Sequence, residues 1–389
     1  MIYLDNNATT AMDPRVAEVL MRGMSGPPAN ASSQHQWGQS ARHRLDQAIE
    51  LIGRSLGSDL TKVDSPRLIV TSGGTEANNL ALTGIGSPEQ TRVVSRIEHP
   101  SVLAVAEAIH REGRPVRLIG VDADGRVDLE DLDRQLDSCD PPPAIVSIMS
   151  ANNETGVLQP IESAAEICRR HGVPLHVDAT QSIGKLPFSV SACGADAVTI
   201  TPHKYHGPTG VGFLWLRSGL TLRASLFGGE QQLTTRPGTE PIALVEAAAE
   251  ATRLAVAEQA DAAEQMAKLR NRLENGLLAA IPASAIHVHG RGVDRLPSTT
   301  CISFLGRDRQ QLLMALDMAG IACSSGSACS SGSSPPSHVL IAMRRPAGEI
   351  ESVLRFGVSK FSTDDEIDHS IEQICRILSM KSGFAPVEN

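Results

Sequence analysis

The chain has 389 residues, too many for one ordinary domain, with 41% hydrophobic and 20% charged residues and with 33 Gly and 23 Pro spread along it. That composition belongs to a globular protein whose core is large enough to fold without disulfide or metal staples, and it excludes the disordered and fibrous classes. Lys plus Arg number 35 against 44 Asp plus Glu, a formal charge of -9, which argues against nucleic acid or an anionic membrane as the main partner.

No apolar run approaches the roughly 20 residues of a membrane span. The opening MIYLDNNATT has neither a basic nor an apolar leader region, so the expectation is a cytoplasmic protein with no secretory signal. The seven cysteines are odd in number and widely spaced, and they read as reduced thiols.

From residue 66 onward, short β-branched runs alternate with helical stretches. The runs 67–70, 91–95, 116–119, 144–149, 174–177 and 197–201 predict strands, and 101–111 and 161–170 predict helices. Such alternation predicts an α/β architecture with a parallel sheet covered by helices. Residues 242–275 contain neither Gly nor Pro and are rich in Ala, Glu, Leu and Arg, which predicts one long helix or two abutting ones joining two domains. Beyond it, the apolar segments 300–304 and 353–358 and the helical patterns 310–318 and 364–380 predict a smaller α+β domain. The expected division is a large domain over 11–255 and a small one over 1–10 and 256–389, the latter carrying a loop at about 323–337.

Three segments carry chemistry. The strand pattern ending Leu175-His176-Val177-Asp178 delivers a carboxylate to the carboxyl edge of the sheet, where open α/β sheets bind ligands. Taken alone, Asp178 reads equally as a helix N-cap. The next strand ends in Thr201-Pro202-His203-Lys204 and a Gly-rich turn, so the Lys204 amine projects into the same crevice, where a partly desolvated lysine can form a Schiff base with an aldehyde. Thr71-Ser72-Gly73-Gly74-Thr75-Glu76 follows a strand and opens a helix, an anion site suited to phosphate. It matches neither a Walker motif nor GxGxxG. An aldehyde-capturing amine, an acid for a pyridine nitrogen and a phosphate cradle are the separate requirements of pyridoxal 5'-phosphate (PLP).

These segments, together with Tyr3-Leu4-Asp5-Asn6-Asn7-Ala8-Thr9-Thr10, Ser32-Ser33-x-His35-x-x-Gly38, Glu98-His99, Asn152-Asn153-Glu154-Thr155-Gly156, Asp178-Ala179-Thr180-Gln181, Arg236-Pro237-Gly238-Thr239 and Ser327-Ala328-Cys329-Ser330-Ser331-Gly332, occur in order from residue 3 to about 370. The sequence resembles the cysteine desulfurases of the NifS/IscS type, in the class-V aminotransferase group of PLP fold type I. The resemblance implies a mostly parallel seven-stranded sheet in the large domain and a homodimer. It implies that Lys204 holds the cofactor, that Asp178 pairs with its pyridinium nitrogen, and that Gln181 bonds its phenolic oxygen. Gly74, Thr75, Thr201 and His203 would hold the phosphate, with Thr239 reaching it from the other subunit. His99 would lie over the ring and transfer protons, and Asn153 and Arg355 would bind the substrate carboxylate.

Read without the resemblance, His99 is a turn residue before Pro100, Asn153 an Asx turn, Arg355 a buried ion-pair partner and Thr239 a cap for the helix near residue 242. Cys329 stands apart. Residues 324–337 contain eight Ser, two Gly and two Pro, a composition that buries little and predicts a mobile loop, and Cys329 is the one thiol within it. Buried-hydrophobe readings suit Cys168, Cys301 and Cys375.

The expected reaction removes sulfur from L-cysteine, leaving L-alanine and a persulfide on Cys329 that passes to an acceptor protein such as an iron–sulfur scaffold or a carrier for thio-cofactor or tRNA thiolation. No resident metal is implied, and contact of Cys329 with an iron–sulfur centre during transfer stays open. Cys323 reads as a spectator thiol, with resolution of the persulfide as an internal polysulfide the alternative. Thr201 stands where the family usually has serine, and Thr239-Glu240-Pro241 and the segment after Arg355 depart from its common pattern. A selenocysteine lyase of the same group, an aminotransferase and a non-catalytic scaffold are the alternatives.

Overall fold

The computed structural model describes residues 1–62, 64–326 and 335–379. Seven strands form the main sheet: β1 (Arg67–Thr71), β2 (Arg92–Ser95), β3 (Val116–Ile119), β4 (Ile145–Met149), β5 (Leu175–Asp178), β6 (Ala197–Ile200) and β7 (Gly212–Leu216). Their order is β1-β7-β6-β5-β4-β2-β3. Only β7 runs antiparallel to its neighbours. Strands β4, β5 and β6 are buried along their whole length, which is why they read as continuous apolar runs rather than alternating ones. The six expected strands fall within one or two residues of their sequence runs. The seventh arises where the chain turns back through Gly207-Pro208-Thr209-Gly210 after Lys204.

The stretch free of Gly and Pro folds as two helices, Ile242–Ala257 and Gln259–Ala280, that abut at Glu258 (φ -99°, ψ 4°). The first packs on the helices Pro14–Met24 and Gln36–Ser55 and joins the main apolar cluster around the large sheet. The second belongs to another cluster, in which Leu269, Leu273 and Leu277 meet Ile302, Phe304, Leu354 and Phe356. That cluster covers a three-stranded antiparallel sheet of β8 (Ile286–Val288), β9 (Thr299–Phe304) and β10 (Val353–Gly357), with β9 central. The amino-terminal strand Ile2–Tyr3 pairs in parallel with Ile321–Ala322 and carries Leu4 into the same cluster. Ile97, at the end of β2, packs with Cys301, Val339, Leu340 and Val353, which seals the two halves against each other.

Among the described residues no helix is long and apolar enough to cross a membrane. Cys168 and Cys301 are buried as the sequence suggests, whereas Cys375 is only half-buried, because it lies at the edge of the apolar face of the terminal helix Asp364–Ser379. The helix Ile242–Ala257 starts at Pro241 with no side-chain cap, so Thr239 does not cap it.

Candidate active site

The carboxyl ends of the parallel strands open onto a cavity of about 530 Å³ closed on its far side by β10. Ten of the residues singled out in the sequence line it: Gly74, Thr75, His99, Asn153, Asp178, Gln181, Thr201, His203, Lys204 and Arg355. Nine of them arrive from a strand end or from the turn that follows, the position at which an α/β sheet gathers ligand groups, and Arg355 comes from the middle of β10. Thr239 is exposed and lies outside this cavity. Cys329 lies outside the described residues; Gly326 and Pro335, the described residues on either side of it, both line the cavity.

Lys204 ends a single 3-10 turn, Pro202–Lys204, entered from β6. Its Nζ donates to the main-chain carbonyls of Asn7 and Ala8, each at 2.7 Å, and has no carboxylate among its hydrogen-bond partners. Burial, then the Arg355 cation, pushes the amine down to about 8. A lysine held by carbonyl oxygens alone can release its proton near neutrality and act as a nucleophile.

Asp178 is buried at the end of β5. One carboxylate oxygen accepts from Asn78 Nδ2 at 2.8 Å and the other from the Thr180 main-chain N–H at 3.0 Å. The second bond is a local turn contact; residues 180–185 form turns and not a helix, so Asp178 does not serve as a helix N-cap. Asn78 had no role in the sequence reading. The signal was its spacing: it lies four residues after Gly74 and therefore on the same helix face. Its amide also donates to Ser101 Oγ at 2.8 Å.

The helix Gly74–Gly84 opens with no side-chain cap, which leaves its first N–H groups free for an anion. A Cβ on Gly74 would stand 2.5 Å from Thr201 Oγ1, so only glycine lets that hydroxyl approach the helix start. Thr201 Oγ1 in turn shares a 3.0 Å hydrogen bond with Thr180 Oγ1, another cavity residue that sequence reasoning left without a role. His203 meets Thr9 Oγ1 through Nδ1 at 3.1 Å, and burial pushes its imidazole down to about 4, so it is neutral.

His99 precedes the helix Pro100–Arg111 and caps it, its Nδ1 accepting from the Ser101 N–H at 3.1 Å. The turn role expected for it is therefore present, and it fixes the tautomer: an acceptor at Nδ1 leaves the proton of the neutral ring on Nε2. Burial holds its pKa below the ordinary histidine value. The Asx turn falls to Asn152, whose Oδ1 accepts from the N–H groups of Glu154 and Thr155. Asn153 is thereby released to the cavity, with its Oδ1 buried and unpartnered among the described residues.

Arg355 sits in β10. Its guanidinium donates to Asp5 at 2.7 Å and to the Asn153 carbonyl at 3.0 Å, and its Nε is buried without a partner among the described residues. The ion-pair reading of Arg355 thus holds, with Asp5, while a further N–H remains for an anion. Cys323 is half-buried against the small-sheet cluster, where burial pushes its thiol up to about 12, so it is protonated at neutral pH.

The group fits PLP on these observations: an amine without an acid partner, an uncapped helix start with two hydroxyls beside it, a buried carboxylate, and unpartnered donors and acceptors at Arg355 and Asn153. Elsewhere among the described residues His287, His289 and Glu349 lie within metal-ligand reach, but the Arg345 guanidinium already donates to His287 Nε2 at 2.9 Å and to Glu349 at 2.7 Å.

The family model described as "Aminotransferase class-V" matches residues 2–369. The chain belongs to the class-V aminotransferase family. The cysteine desulfurase of Cereibacter sphaeroides is 38% identical over 393 residues, covering 99% of this chain and 97% of its own length. That of Trichormus azollae is 36% identical over 392 residues, covering 100% and 96%. The X-ray structure of the NifS-like protein from Rickettsia africae ESF-5 superposes with a TM-score of 0.88 at 31% identity, covering 98% of this chain and all 100% of that one. This class-V fold is the mostly parallel α/β arrangement expected from the sequence.

Proposed function

We propose that the protein is a PLP-dependent cysteine desulfurase that converts L-cysteine to L-alanine and leaves the removed sulfur as a persulfide on Cys329. What carries the reading is the convergence of the Lys204 amine, the Asp178 carboxylate and the Arg355 guanidinium on one cavity, in a chain similar over its whole length to cysteine desulfurases.

When bound, PLP supplies an aldehyde for the lysine amine and a protonated ring that takes up the electrons of the substrate's Cα–H bond. Lys204 would hold the cofactor, and its desolvated Nζ carries a proton to and from the substrate near neutral pH. Asp178 would hold the ring nitrogen protonated, and Gln181 would donate to the phenolic oxygen. The first N–H groups of the helix at Gly74 and Thr75, with Thr201 and His203, would hold the phosphate. Arg355 and Asn153 would bind the substrate carboxylate, the guanidinium supplying a directed donor. His99, neutral with Nε2–H, would move a proton at the sulfur. Cys329 attacks that sulfur as thiolate: the carbon–sulfur bond of cysteine breaks, a sulfur–sulfur bond forms on Cys329, and the carbon gains the proton that makes alanine.

The same reading includes a large domain over 11–255, a small one over 1–10 and 256–389, and a homodimer in which Thr239 reaches the phosphate of the partner subunit. Thr239 is exposed here, which supports its serving a site other than its own. The protein would work in the cytoplasm and hand its sulfur to an acceptor such as an iron–sulfur scaffold. Incubation with L-cysteine tests it: equal amounts of alanine and of peptide-bound sulfur on Cys329 are expected, and formation of a keto acid in place of alanine would contradict it.

A further inference from the structure

Lys185 is a fully buried lysine that the proposed chemistry does not use. It is 5% exposed, and its Nζ makes one hydrogen bond, to Gln181 Oε1 at 2.8 Å. No carboxylate among the described residues is bonded to it. Asp13 and Glu258, which share a small cavity wall with it, are committed to Arg15 and Lys360. Burying an ammonium without an acid is costly, and burial pushes this one down to about 7. Such an expense at a position one turn from Gln181 calls for a reason.

The Gln181 amide is held at both ends. The Asn7 carbonyl is an acceptor only, so Nε2 must face it, at 3.1 Å, which leaves Oε1 to accept from Lys185. Asn7 is the carbonyl that Lys204 Nζ also uses. One N–H of the Gln181 amide is thus engaged, and the other is left for a ligand of the cavity Gln181 lines. A donor on the amide oxygen, most strongly the charged amine present below about pH 7, draws charge from the nitrogen and makes that remaining N–H a stronger donor.

We infer that Lys185 is a positioning residue for the cofactor, fixing and polarising the Gln181 amide that donates to the phenolic oxygen. The inference rests on the proposed PLP reading. A stronger donor at that oxygen withdraws charge from it, and the Lys204 nitrogen joined to the cofactor then loses its proton at lower pH.

The test is the midpoint pH of the visible absorbance band of the holoenzyme. Lys185→Met is expected to raise the midpoint by about half a pH unit, a roughly threefold change in proton affinity. Lys185→Gln, which keeps a donor without the charge, should fall between the two and carries the same comparison if the methionine variant does not fold. In a Gln181→Leu background the Lys185 substitution should add nothing, because its route to the cofactor is gone. An unmoved midpoint overturns the inference. So does an equal shift in both backgrounds, which would mark a charge acting through space. A wild-type protein whose band does not depend on Lys204 would instead overturn the PLP reading, and this assignment with it.

Discussion

Lys204 Nζ and Gln181 Nε2 donate to the same acceptor, the main-chain carbonyl of Asn7, at 2.7 and 3.1 Å. The amino-terminal segment therefore sets the amine and the neighbouring amide in one frame, and the amine has no acid to keep it charged. Only the neutral amine attacks an aldehyde, and the Lys204 value of about 8 places that form above pH 8. The rate of PLP loading onto apoprotein should rise with pH through about 8 and then level off. Stopped-flow absorbance measures it, and Lys204→Ala should leave nothing for borohydride to trap.

Asn78 fixes the orientation of Asp178. Asp178→Asn removes the charge and is expected to lower kcat by about 10²-fold or more with cofactor still present. Asn78→Ala leaves the charge but frees the carboxylate to turn, and should cost about tenfold. Steady-state alanine formation on protein with matched cofactor content checks both, and an Asn78→Ala enzyme as impaired as Asp178→Asn would show that Asn78 does more than orient.

The Ser101 N–H bond to His99 Nδ1 keeps the proton of the neutral ring on Nε2. Because burial lowers this pKa, the ring gains its second proton only below the ordinary histidine range. Activity limited by neutral His99 should fall only as pH drops below the ordinary histidine value. His99→Ala is expected to reduce kcat by about 10²- to 10⁴-fold and to erase that acid limb from the pH–rate profile.

Asp13, Arg15, Glu258 and Lys360 form one ion-pair network that ties the start of the helix Pro14–Met24 to the joint between the two long helices and to the segment after β10. Arg15 and then Lys360 hold both carboxyls well below the usual range, Glu258 at about 2. Depressed folded-state values mean stability that is fully present above the unfolded values near 4 and lost as pH falls through the folded ones. The Tm gap between wild type and Glu258→Gln should be widest above pH 5 and close between about pH 4 and 2. Calorimetric scans across that window measure it.

Much of the site was legible because strand ends are punctuated. A buried strand running into Asp178, or into Pro202 and Lys204, announces its own terminus, and Gly73-Gly74 marks a helix start. What the sequence did not reveal were relations formed across the fold. Asn78 to Asp178 spans 100 residues, Arg355 to Asp5 spans 350, and the Asn7 carbonyl used by Lys204 comes from a main-chain atom that carries no residue signature. Two abutting helices were one of the two readings of 242–275, but the position of the break at Glu258 was hidden, since glutamate is a good helix former and the interruption is set by packing of two helices on different cores. Plain and functional readings also proved compatible: His99 caps a helix and Arg355 pairs with an acid, yet both line the cavity.

The most direct test of the central claim compares wild type with Cys329→Ser for alanine produced from L-cysteine, at equal cofactor loading judged by the visible band. The expected result is an intact band with alanine formation reduced at least about 10³-fold. A serine variant that makes alanine at the wild-type rate would contradict it.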